Sequence, residues 1–302
     1  VFISYVAVGV CLLAGSAPLL LTTNDKQRQK ALDRYARKVN LAITDDVRPL
    51  VVRRITIVER FTLIGGAVGG LLGLVLSVVL RAAGATDWAA SFAILLGLAI
   101  GISFAPVGSV VLTTLGIAAG PRVARMTTPA VTDYVPRLEL RAVPIALGCA
   151  GLAIAGGMVA LGTGVLQGHR LDAVGVLVSP GAILAYVAAL GYAAALILVR
   201  VVLNSGQPAG STQELAWDDA MRASSLRSLI HTPLAIAAAS VVVTFLDVGS
   251  RTINQPVLIG TIGVAALVIF VVAMITVAVT DAASRPGQHY WRRLWQDADP
   301  VR

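Results

Sequence analysis

The chain has 302 residues, 57% hydrophobic and 13% charged, with 24 Lys and Arg against 16 Asp and Glu for a net charge of +8. Soluble globular chains carry about 25% charged residues, and here the charges cluster between long uncharged runs, which excludes a pair of ordinary soluble domains. Cys11 and Cys149 both lie in apolar runs without ligand spacing, so they read as buried structural thiols and not as a metal site.

Residues 1–22, VFISYVAVGVCLLAGSAPLLLT, carry no charge and form the first expected transmembrane helix. No positive residue precedes this run and a basic segment follows it. Those flanks fit a retained, outward-facing N-terminus and not a cleaved signal.

Residues 23–60 form a basic amphipathic segment expected on the cytoplasmic side. On a helix, Leu32, Tyr35, Val39 and Ala42 share one apolar stripe, while Lys30, Asp33, Arg34, Arg37 and Lys38 cover the rest. Asp46 is placed to cap a second helix with Pro49 in its first turn, and that helix can run directly into the crossing that begins at Phe61. Arg34, Arg37, Lys38, Arg53 and Arg54 are the expected contacts for lipid headgroups or a cytoplasmic partner. Headgroups are the preferred reading, because any polytopic protein needs basic inner loops. Nucleic acid is set aside: Tyr35 is the only ring in the segment, and no zinc pattern occurs.

Residues 61–281 hold six further expected crossings, read as a membrane bundle of three helical hairpins. They run over 61–80, from Trp88 to Gly120 with a bend at Pro106, from Ala142 to Leu166, from Ala173 to Val199, from Leu229 to Leu246, and from Pro256 to Thr280. Each hairpin follows a similar basic segment: TDDVRPLVVRR, TDYVPRLELR or WDDAMRASSLR. Gly65, Gly69 and Gly73 recur at four-residue intervals, as do Gly97 and Gly101, and this spacing predicts close helix packing. Residues 282–302 form a tail in which Tyr290, Trp291 and Trp295 surround Arg292 and Arg293, as in an interfacial anchor.

The segments 23–60, 121–141, 200–228 and 281–302 hold 21 of the 24 Lys and Arg; Arg81, Arg170 and Arg251 fall in the other three connections. Since cytoplasmic loops carry the basic excess, the N-terminus is expected outside and the C-terminus inside. The fold class is therefore an all-α, multi-pass integral protein of the cytoplasmic membrane with seven transmembrane helices.

Chemistry is scarce in this pattern. None of the seven crossings contains Asp, Glu, Lys or Arg, which disfavours a proton relay, and His169, His231 and His289 fall in loops or at span ends. No HExxH, GxSxG or Walker lysine motif occurs, so neither catalytic residues nor cofactor or metal ligands are assigned. Asp218 with Asp219 reads as a helix start. The expected role is a permease-like subunit of a transport system that works with a separate ATPase. The alternative is a non-transporting scaffold or assembly factor that joins other membrane subunits, or copies of itself, through Gly-rich helix faces.

Overall fold

A computed structural model of the chain describes residues 25–39, 41–45, 47–82, 93–94, 97, 100–101, 129–162, 173–205, 211–251 and 289–295. Among them there is no strand, and the helices are α1 (Asp25–Val39), α2 (Arg48–Ala82), α3 (Val131–Tyr134), α4 (Arg137–Gly162), α5 (Ala173–Leu177), α6 (Pro180–Asn204), α7 (Thr212–Arg251) and α8 (His289–Leu294). Four of these, α2, α4, α6 and α7, are long and apolar enough to cross a membrane. The expected first and seventh crossings, Asp46 and the bend at Pro106 lie outside the described residues.

The expected crossing from Ala173 to Val199 is divided. Its helix stops at Leu177 and restarts at Pro180. Proline lacks an amide hydrogen and suits a helix start, and the preceding Ser179 caps the new helix by accepting from the Ala182 amide at 3.3 Å. The sixth crossing, expected over Leu229–Leu246, falls mostly in the C-terminal half of a 40-residue helix that contains Pro233. Pro144 is likewise inside α4. Neither ring can donate to the carbonyl four residues earlier. Cys149 is exposed, which corrects its reading as a buried thiol: it sits on the outward side of α4.

The chain divides into two compact units. The first comprises Val1–Tyr134, Leu198–Leu229 and Gly287–Arg302. Its core includes Leu32, Val47, Val51, Tyr134, Val202, Trp217, Leu226 and Tyr290, none more than 2% exposed. Here α2 runs without a break from Arg48 through the apolar stretch to Ala82, and Pro49 is accommodated in its first turn. The second unit comprises Val135–Ile197 and Ile230–Pro286. In it, α5 packs against α4, while Ser240 donates to the Gly181 carbonyl at 2.8 Å and so fastens α7 to α6. A Cβ on Gly181 would lie 2.6 Å from the Thr244 amide nitrogen, so this contact requires glycine.

Candidate functional site

The most elaborate polar arrangement in the first unit grows from the start of α7. Ser211 caps that helix by accepting from the Glu214 amide at 3.1 Å, the Ser-x-x-Glu pattern of a capping box. With the helix start fixed, Gln213 and Trp217 both donate to the Ala42 carbonyl, at 3.2 and 3.1 Å. Thr44 in turn donates to Gln213 Oε1 at 3.2 Å. The segment between α1 and α2 is thereby held on α7.

Asp219 is fully buried. Its Oδ1 accepts from the Tyr134 hydroxyl and its Oδ2 from the Trp295 indole N–H, both at 3.0 Å. One carboxylate therefore joins α3, α7 and the C-terminal segment. Around it, His289 donates from Nε2 to the Thr132 carbonyl at 3.1 Å, and Trp291 stacks on Trp295 with centroids 5.4 Å apart. Tyr290 is also fully buried, and its hydroxyl finds no partner among the described residues. Burial, reinforced by Tyr35 and Asp219, pushes its phenol well above the ordinary tyrosine range.

Arg222, 7% exposed, completes the layer. Its Nε donates to Asp218 at 2.7 Å, and its Nη1 to the carbonyls of Val202 and Ser205 at 3.0 and 3.1 Å. Those carbonyls end α6, so the guanidinium caps a helix C-terminus where positive charge is favoured. Asp219 is itself fully buried and both its oxygens accept from donors, so it acts as an acceptor that joins chain segments and not as a base open to a substrate. The two acids do not mark a helix start, since α7 begins at Thr212 and they project to different partners.

The sequence-derived residues are distributed as follows. Arg34 and Arg37 are exposed on α1, and Arg53 is exposed on α2. Lys38 and Arg54 belong to the same two helices, but their side chains lie outside the description. The five glycines meet one another. A Cβ on Gly69 would collide with the Gly97 carbonyl and lie 2.8 Å from Gly101 Cα; one on Gly73 would lie 2.6 Å from the Ala93 carbonyl; one on Gly101 would collide with the Gly65 carbonyl. The partner numbers fall as the α2 numbers rise, so the two segments pack antiparallel. This glycine face of α2 is covered from within the chain.

The tail differs from its reading as an interfacial anchor, because Tyr290 and Trp295 turn inward onto α3 and α7. His231, at the start of the expected sixth crossing, lies within α7 and meets Glu139 of α4 at 3.1 Å. Sequence reasoning missed the Tyr134–Asp219 contact, although both residues head the similar segments TDYVPRLELR and WDDAMRASSLR. No protein-family model matches the chain, and no curated protein or solved structure shows a match to it.

Proposed function

We propose that the chain is a permease-like subunit of a transport system in the cytoplasmic membrane. In this reading it crosses seven times, with its N-terminus outside, and takes its energy from a separate ATPase. The observation that carries the reading is the continuity of α2, whose 35 residues extend about 52 Å at 1.5 Å per residue. A hydrocarbon core is about 30 Å thick, so a substantial length of the same helix stands in the polar layer. The segment leading into its first turn is held there on α7: Thr44 accepts from the Arg48 amide and donates to Gln213, and Ala42 accepts from Trp217. A partner pressing on that layer would act on one continuous helix that carries the glycine contacts of the span, an arrangement suited to coupling an outside energy source to the crossing.

Purification of the tagged chain from native membranes in mild detergent, followed by identification of bound proteins, tests the reading. A stoichiometric ATP-binding partner is the expected result, and its reproducible absence would count decisively against it. A second reading, a membrane scaffold, draws on α4. A Cβ added at Gly148, Gly151 or Gly162 would meet nothing within 4 Å, which leaves a narrow stripe of small residues open to a neighbouring helix. Under that reading Gly148→Leu with Gly151→Leu abolishes a complex seen by size exclusion, whereas under the permease reading the complex with the ATPase survives.

A further inference from the structure

Helix α1 could offer its basic side to lipid or to protein, and the geometry of the first unit separates the two. A helix that lies in the interface holds the bilayer through a free apolar stripe. In α1 that stripe is occupied: Leu32 and Val39 are buried, and the Tyr35 ring lies 6.1 Å from that of Trp217. Lys30, Arg34 and Arg37 remain outward and exposed. Asp33 is exposed among them, with an oxygen accepting from Gln29 at 3.1 Å.

Height decides what these cations can reach. The uncharged part of α2 begins at Phe61, so Arg48 stands about 20 Å back along the helix. The headgroup layer on each side is only about 5–8 Å thick. Arg48 donates to Gln29 at 2.8 Å, which places the first turns of α1 at that same height. Trp217, the neighbour of Tyr35, precedes Leu229 by about 18 Å of helix. Both halves of α1 are thus held well beyond the headgroups, at Gln29 and at Tyr35, farther than the roughly 8 Å over which charges act through physiological salt. Arg60, one residue before the apolar stretch, lies at headgroup level.

We propose that Lys30, Arg34 and Arg37 dock an acidic surface of a protein in the aqueous phase, while Arg60 meets phospholipid headgroups. This rests on the membrane placement of residues 61–80 adopted above. A second copy of the chain is a poor occupant, because among the described residues of the first unit the exposed acids are Asp33 and Asp45 alone, against a larger set of exposed arginines. Two such faces repel.

The test uses the full chain in phosphatidylcholine nanodiscs, with and without phosphatidylglycerol. On a Cys11→Ser, Cys149→Ser background, nitroxide labels at Arg37→Cys and Arg60→Cys report depth through collisions with oxygen and with an aqueous nickel chelate. The label at 37 should read as aqueous in both lipids and the label at 60 as headgroup level. Polyglutamate, used as the acidic probe, should bind Lys30→Glu/Arg34→Glu/Arg37→Glu roughly tenfold more weakly than the wild type, and Arg60→Glu within about twofold. The neutralising Gln triple should lie between. A label at 37 reading at headgroup depth, or a triple variant binding like the wild type, overturns the proposal. A label at 60 reading fully aqueous overturns the membrane placement itself and the proposal with it.

Discussion

Asp219→Ala is the most informative single change in the polar layer. It removes the acceptor of the fully buried Tyr134 hydroxyl and of the half-buried Trp295 indole N–H. Hydrogen bonds to a charged group contribute about 1.5–3 kcal/mol each, so the loss should reach about 3–6 kcal/mol, a large part of the stability of a domain. Trp295→Phe removes one of the two donors and should cost about 1.5–3 kcal/mol. If the bond is the reason for both losses, the double variant should be less destabilised than the sum by about that amount. Chemical denaturation in detergent, followed by tryptophan fluorescence, measures all three. Trypsin adds an independent readout at Arg292 and Arg293, which are exposed but anchored by neighbours on both sides: the tail should be cut several-fold faster in either single variant. Additive losses together with unchanged cleavage would refute the joint.

Three further outcomes follow from the same geometry. Gly69→Ala forces a methyl against the Gly97 carbonyl and should cost about 1–3 kcal/mol as overpacking, whereas Gly151→Ala, with nothing within 4 Å, should leave the melting temperature unchanged or raise it; equal effects in thermal melts would contradict the contact. Tyr290→Phe deletes a buried hydroxyl that finds no partner among the described residues and should stabilise by about 1–3 kcal/mol. Because the folded pKa of Tyr290 is raised, wild-type stability should hold up to the ordinary tyrosine pKa of about 10 and fall above it, and the Phe variant should lose that slope in alkaline denaturation curves. Arg222→Lys keeps the charge but loses the fork that joins Asp218 to two carbonyls, so it should destabilise nearly as much as Arg222→Ala, by about 3 kcal/mol or more.

Local signals exposed some of this architecture and hid the rest for physical reasons. The run of α2 from its polar start into the span was legible, because Pro49 can stand only near a helix start and nothing after it breaks the helix. The glycine spacing likewise pointed to close packing. The break before α6 was present in the sequence as Ser179–Pro180, a cap followed by a first-turn proline, yet uninterrupted hydropathy across residues 173–199 concealed it. The destination of the tail was not legible at all. Aromatic and basic side chains suit a bilayer boundary and a protein groove equally well, and only the distant carboxylate of Asp219 distinguishes them. Long-range partners leave no periodicity behind.

The exposure pattern of α4 gives a reason, separate from hydropathy, for placing these helices in lipid. Val143, Ala150 and Gly157 are buried at seven-residue intervals, as one face of a helix packed against its unit should be. Leu138, Ile145, Leu152 and Val159 repeat at the same interval on another face, each 63–73% exposed. On α2, Leu71, Leu72, Val78 and Val79 are 54–63% exposed, and on α6, Leu190 and Ile197 reach 72% and 63%. Water-soluble monomers rarely present apolar patches beyond a few hundred Å², and burying a Leu or Val side chain is worth about 1.5–3 kcal/mol. An aqueous chain with this many large side chains turned outward on three helices would gain tens of kcal/mol by aggregating. In hydrocarbon the same side chains carry no such cost, while the small residues between the helices permit the close approach that replaces it as the source of cohesion.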